Sequence, residues 1–292
     1  MDSRERGMIS NQDLRNPIVR VVYTVMVAAL AGLTVTMIYP FLTTIFNAFK
    51  SKRDIFTFPP KLLPQEWVWT NFTEGWEFIS FGKYFLNTMY IFGGTMFFSI
   101  LFIGMASFSL AHLSIPYRKG FTLFFMCTLL IPGSTYMIPN YLNLKELGLI
   151  NTYWALWLPA AANAFWILLL KNFFDELNKE LFEAARIDGA SELRCFLQLA
   201  IPLSMPIVST LFIFGFTYVW NEWFWTGILL SDADKYPIAT AVYKYVISGE
   251  NNSIGVNVQF GVLTIVMLPP LLVFILLQKQ IIRGVNLSGV KG

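Results

Sequence analysis

The chain has 292 residues, of which 55% are hydrophobic, 17% aromatic and only 13% charged, with a net charge of +3. A soluble domain carries about 25% charged residues, so a disordered chain, a collagen and a nucleic-acid-binding arm are excluded. Two cysteines, Cys127 and Cys195, and one histidine, His112, leave no disulfide framework, no metal-ligand spacing and no parts for a Ser/His/Asp triad.

Charge spacing says more than charge count. Windows 21–49, 84–111, 120–144, 147–170, 195–221 and 251–278 contain no Asp, Glu, Lys, Arg or His. A helix needs about 20 apolar residues to cross a bilayer core about 30 Å thick. Backbone inside lipid must satisfy its own hydrogen bonds. The pattern predicts an all-α membrane protein with a transmembrane domain over 21–282. Its six spans fall at about 21–46, 86–111, 120–142, 150–170, 205–230 and 258–279. Residues 1–20 are polar, carry Arg4, Arg6, Arg15 and Arg20, and read as a cytoplasmic N-terminal segment rather than a cleaved signal. With both termini inside, 13 of the 21 Lys and Arg lie on cytoplasmic segments, although Lys50, Lys52 and Arg53 argue the other way.

Segment 50–83 holds Pro59, Pro60 and Pro64, which favour extended chain, and Trp67, Trp69 and Trp76, which suit a membrane–water interface. It reads as an outer cap, with a ligand role as the alternative. His112, beside Arg118 and Lys119, reads as a headgroup-level residue rather than a proton relay. Pro132 and Pro139 are expected to kink the third span, with Tyr136 between them as a pathway candidate. Connector 171–204 holds ten charged residues and predicts helix, turn, helix. Leu181 to Asp188 has good helix formers, Gly189 can end a helix in the left-handed region, and Ser191 can cap a second helix with Glu192 in its first turn. Pro202 and Pro206 interrupt that helix where the chain re-enters the membrane.

Asn221 and Glu222 interrupt the fifth span. A carboxylate near a helix centre in lipid costs about 2.5–3.5 kcal/mol, so Glu222 either bonds a neighbouring subunit or lines a polar cavity. Trp220, Trp223 and Trp225 are interface anchors or sugar-stacking faces. Segment 231–257 reads as a short outer loop, and 283–292 as a cytoplasmic tail.

The run EAARIDGA at 183–190, followed by Phe196 and IPLSMP at 201–206, resembles the EAA loop of carbohydrate-type binding-protein-dependent ABC importer permeases. IPGSTYMIPNYLNLKELGLINTYWALWLP at 131–159 and WNEW at 220–223 are similar to further elements of that family. GVNLSGVKG at 284–292 resembles the C-terminus of its MalG-like subunits. The N-terminal half also resembles permeases for acidic oligosaccharides such as alginate fragments.

The resemblance implies the type I ABC importer permease fold, with a cytoplasmic coupling helix in loop 171–204. Glu183, Ala184, Ala185, Asp188, Gly189, Ala190, Ser191, Phe196 and Pro202 would couple it to an ATPase. Ser288, Gly289, Val290, Lys291 and Gly292 would reach the ATPase interface. Trp220, Asn221, Glu222, Pro132 and Tyr136 are the pathway candidates. The implied partners are a MalF-like second permease, two ABC ATPase subunits, an extracytoplasmic sugar-binding protein and the lipid bilayer, with no nucleic acid. No G-x-x-x-x-G-K-[ST] loop occurs, so no enzyme activity and no cofactor are expected on this chain, and ATP and Mg belong to the partners. The expected cargo is an oligosaccharide, brought into the cytoplasm across the bacterial inner membrane. Two other readings remain at this point: an ion-gradient-driven secondary transporter, which would want more buried ionisable groups, and a membrane enzyme or scaffold, which would want converging titratable residues.

Overall fold

A computed structural model describes residues 16–249 and 254–289, with side chains as far as Gln278. No strand occurs among the described residues. Contacts divide the chain into two compact units, one of residues up to 75 together with 255–264, the other of the remainder.

In the first unit, α1 (Pro17–Ala48) starts on Asn16, whose side chain accepts from the Ile18 N–H, with Pro17 preset for the first turn. Its apolar surface is exposed all round, and only Ala48 at its end is buried. Short α2 (Lys52–Ile55) and the start of α3 (Thr70–Phe78) follow. Asn71 is 1% exposed and ties this unit together. Its amide donates to the carbonyls of Ala48 at 2.8 Å and Lys50 at 2.9 Å, and its oxygen accepts from Asn257 at 2.7 Å. Gly261 lets the Asn71 backbone approach, since a Cβ there would stand 2.6 Å from the Asn71 oxygen. The expected cap is partly helical: the stretch that holds Pro59, Pro60 and Pro64 stays non-helical between α2 and α3, and Phe49 gathers Trp67, Trp69 and Phe72 around it.

The second unit begins with one long apolar helix, α4 (Phe81–Phe98), a π-turn at Ser99–Ile103 and α5 (Gly104–His112). Then come α6 (Arg118–Thr128), α7 (Met137–Glu146), α8 (Trp154–Ala160) and α9 (Ala164–Asp175). The charged connector forms α10 (Lys179–Ile187), α11 (Glu192–Cys195) and α12 (Ile201–Leu203). The unit continues through α13 (Met205–Asn221), α14 (Phe224–Leu229) and α15 (Ile238–Val242). Last is α16 (Val256–Gly289), whose first residues belong to the other unit. α5 packs on α9, and α4 on α8 and α13. Ser107 bonds across to the Ile167 carbonyl at 2.9 Å, and the Trp157 indole to the Ile91 carbonyl at 3.1 Å. Gly94 makes room for that indole, because a Cβ there would fall 2.2 Å from the ring.

Among the described residues, three helices are long and apolar enough to span a membrane, and up to six spans result when each bent pair counts as one. The third span is not merely kinked. α6 and the stretch 133–146 meet at 95°, because the chain leaves helical geometry ahead of Pro132. The fourth bends by 46° between Pro159 and Asn163, which caps α9. The fifth bends by 80° at Ser204: Pro202 has no N–H for the carbonyl four residues back, and Pro206 opens α13. α13 then ends at Asn221, as the polar pair predicts, and the rest of that window forms the separate α14.

Segment 231–257 is no simple loop. Ile238, Ala241, Val242 and Val246 are buried at helical spacing on α15 and the π-turn after it, a signal hidden by the charges around them. The helical backbone also runs on to Gly289, so the expected tail 283–292 begins as a continuation of the helix. Val290, Lys291 and Gly292, and Arg4, Arg6 and Arg15, lie outside the described residues.

Candidate functional site

Two places in the second unit collect the residues singled out above: the corner that carries α10, and a cavity among the spans.

At the corner, Asn178 caps α10 by accepting from the Glu180 N–H at 3.0 Å. Phe182 points inward and is fully buried. Its ring centroid lies 4.2 Å from that of His112 and 5.8 Å from that of Phe108. Phe108 reaches Phe174 at 6.3 Å and Phe196 at 5.8 Å. Residues from α5, α9, α10 and the π-turn after α11 therefore share one aromatic core, with Ala185 and Ala190 packed at its edge. Gly104 admits Phe196, since a Cβ there would sit 2.8 Å from the ring. His112 is half-buried against Phe182, and its Nε2 is buried without a partner. His112 is thus a packing residue of the aromatic core.

The turn after α10 is closed by its backbone. Ala190 N–H donates to Ala185 O at 2.9 Å and Gly189 N–H to Arg186 O at 3.0 Å, with Gly189 at φ +84°. Ser191 then caps α11, accepting from the Arg194 N–H at 3.3 Å. Arg186 grips Glu192 with two hydrogen bonds of 2.7 and 3.0 Å and also donates to the His112 carbonyl at 3.5 Å. Arg186 is thus spent inside the loop. The outward face keeps Leu181, Glu183, Ala184, Ile187, Asp188 and Gly189 exposed, with Ile187 at 86%. Pro202 lies in α12, beside the bend into α13.

Between the spans is a cavity of about 800 Å³. α4 and the π-turn give Ile91, Thr95 and Ser99. The third span gives Tyr136 and Asn140, and the fourth gives Asn163 and Trp166. α13 and α14 give Tyr218, Glu222 and Trp225. Glu222 accepts from the Trp225 N–H at 2.7 Å and so starts α14. Of the five pathway candidates, Tyr136 and Glu222 line this cavity. Trp220 is 3% exposed and packs on Phe85 and Phe216. Asn221 folds back to the Thr217 carbonyl at 2.8 Å, and Pro132 only opens the turn before α7. Asn140, Asn163 and Tyr218 were missed. Asn163, a lone amide between two apolar stretches, is the one the sequence signalled, as a helix cap.

The family model for the inner membrane component of binding-protein-dependent transport systems matches residues 94–287. The chain is similar to protein LplC of Bacillus subtilis (strain 168), 31% identical over 286 residues that cover 90% of this chain and 92% of that one. It is 30% identical over 256 residues to the melibiose/raffinose/stachyose import permease protein MelC of the same organism, covering 87% and 91%. Its fold matches a chain in the crystal structure of a bacterial ABC transporter involved in the import of the acidic polysaccharide alginate. The TM-score is 0.82 at 24% identity, covering 94% of this chain and 99% of that one. The ion-driven alternative is thereby overturned. Six apolar spans, an EAA-type loop on an aromatic-anchored corner and a match over most of its length place the chain in the binding-protein-dependent transport system inner membrane component family, as a permease subunit of an ABC importer.

Proposed function

We propose that this subunit forms one half of a heteromeric permease in the bacterial cytoplasmic membrane, with both termini in the cytoplasm, and that it imports an oligosaccharide. A MalF-like subunit supplies the other half, an extracytoplasmic binding protein delivers the cargo, and two ABC ATPases hold ATP and Mg. The observation that carries the coupling role is α10 itself. One face is anchored by Phe182 in a core fed by three spans, while the opposite face, which includes Glu183, Ala184, Asp188 and Gly189, is exposed and small enough for close approach. A push on that face is passed to the spans, because a close-packed core moves as a body. Ala185, Ala190, Ser191, Phe196 and Pro202 shape and back the helix. Ser288, Gly289, Val290, Lys291 and Gly292 extend the contact with the ATPases. The cavity, with Tyr136 and Glu222 on its wall, is this half's share of the cargo route.

The test is gentle purification of the tagged chain from its native membranes, followed by uptake measurements. An ATP-binding subunit and a second permease should co-purify. Glu183→Lys should abolish ATP-driven uptake while the chain stays in the membrane. A chain that emerges alone after crosslinking, or wild-type uptake by the variant, would overturn the reading.

A further inference from the structure

α10 is held at two points, and the second is ionic. Phe182 and Arg186 stand four residues apart, one above the other on a helix, and both end on His112, the last residue of α5. The Phe182 ring lies on the His112 ring, with centroids 4.2 Å apart, and the Arg186 guanidinium donates to the His112 carbonyl at 3.5 Å. Oxygens in the last turn of a helix lack helical donors, and a cation is favoured beside them. The same guanidinium meets both oxygens of Glu192 on α11, from Nε at 2.7 Å and from Nη2 at 3.0 Å. Two parallel bonds fix orientation as well as distance. They hold the Glu192 carboxyl below its ordinary range, so the pair is intact at neutral pH. Among the described residues, the other charged side chains of α10, Lys179, Glu180 and Glu183, enter no ion pair.

This pair is partly exposed, 32% on one side and 46% on the other, and such pairs add little to stability. Its consequence is directional. A helix anchored at Phe182 alone can tilt about that point, and the turn 188–191, with Gly189 at φ +84°, is the backbone link to α11. A second anchor one turn further along removes that freedom. Beyond α11 the helical stretch 192–203 meets α13 at the 80° bend, and α13 carries Tyr218 on the cavity wall. We propose that Arg186 is a positioning residue for energy coupling. With Glu192 and the end of α5 it forms a joint through which a displacement of α10 moves the fifth span instead of turning the loop about Gly189. This deepens the importer reading above and rests on it.

The experiment uses the whole importer with its own binding protein in proteoliposomes. The probe is a mixture of neutral and uronate oligosaccharides of matched length. Accumulated saccharide and released phosphate are measured in the same vesicles, and saccharide moved per ATP is the readout. Arg186→Gln and Glu192→Gln should each lower that ratio several-fold and by similar amounts, with thermal unfolding of the complex unchanged. The double variant should be no worse than either single one, because both break one joint. Arg186→Lys keeps the charge but not the paired donors and should fall between. Hydrogen exchange at Gly189 and Ala190, whose amides close the turn, should quicken in both single variants. A wild-type ratio in both, losses that add in the double variant, or loss in Arg186→Gln with Glu192→Gln at the wild-type ratio would overturn the joint; the last would mean that a partner subunit reads Arg186. Glu192→Gln decides the matter if Arg186→Gln fails to assemble. If the wild type accumulates no saccharide, the oligosaccharide reading fails by itself, and unchanged exchange in both variants then overturns the joint.

Discussion

The α10 corner and the cavity wall draw on the same residue types and use them in opposite ways. At the corner, Phe108, Phe174, Phe182 and Phe196 are all at or below 3% exposure, and Arg186 and Glu192 satisfy each other. At the wall, Tyr136 and Tyr218 each stand 57% exposed. The corner is built to hold one geometry and hand on a displacement. The wall is built to leave side-chain surface open for something that passes. The difference predicts that corner substitutions act on coupling and on the fold together, whereas wall substitutions act on transport with the fold intact.

The largest effect is expected at Phe182. Removing a fully buried ring costs about 3–5 kcal/mol, and here it also cuts the link between α10 and the spans. Phe182→Ala should lower uptake by more than tenfold while ATP hydrolysis by the assembled complex continues, and Phe182→Leu should recover part of the uptake. Parallel uptake and ATPase assays in one vesicle preparation check this. If hydrolysis and uptake fall in proportion, the ring is only a stabilising one and the contrast with the wall is broken.

Gly189 comes next. A Cβ there meets nothing within 4 Å, so any penalty comes from φ +84° alone. A non-glycine residue in the left-handed region costs about 1–2 kcal/mol, more for a β-branched one and less for Asn. Gly189→Val should therefore abolish most uptake and Gly189→Asn should keep most of it. Equal loss in both would mean that the exposed face, rather than the turn, is what the substitution harms.

The wall supplies the third. Tyr136→Ala removes a ring that packs little and faces the cavity. Membrane levels and thermal unfolding of the purified complex should match the wild type, and uptake should fall several-fold. A drop in unfolding temperature comparable to that of Phe182→Ala would erase the distinction between the two regions.

What the sequence made legible follows the same division. The corner motif was readable because its requirements are local: a glycine at a left-handed turn, a serine at a cap, small residues on a close face. The partners that Phe182 packs on were not, since His112 and Phe108 lie far from it along the chain. Charge-free windows revealed how many spans to expect, but a window has no direction, so the 95° and 80° bends were invisible. The cavity went mostly unread for the same reason. Trp220 and Tyr218 sit two residues apart on α13, and only their facing decides that one is core and the other wall.

The smallest effect should come at the rim, where the turn leading into α15 is tied to α4 by two different means. Lys83 pairs with Asp234 and holds that carboxyl below its ordinary range, first by the hydrogen bond and then by charge. A lowered carboxyl value means the pair is intact above the ordinary value of 3.8 and is lost only as pH falls through the lowered one, so it is fully formed at neutral pH. Yet both side chains are exposed, and such pairs contribute little. Asn87 instead donates to the backbone carbonyls of Asp234 at 2.8 Å and Tyr236 at 3.0 Å, the second of these bonds part-buried. Asp234→Asn should change uptake by less than about twofold, and Asn87→Ala by more, because it leaves two carbonyls without their donor. Uptake measured at neutral pH in low and high salt separates them: salt should weaken the ion pair and leave the amide bonds unaffected. If the order reverses, charge rather than backbone bonding holds the rim, and the wall is less independent of electrostatics than its open side chains imply.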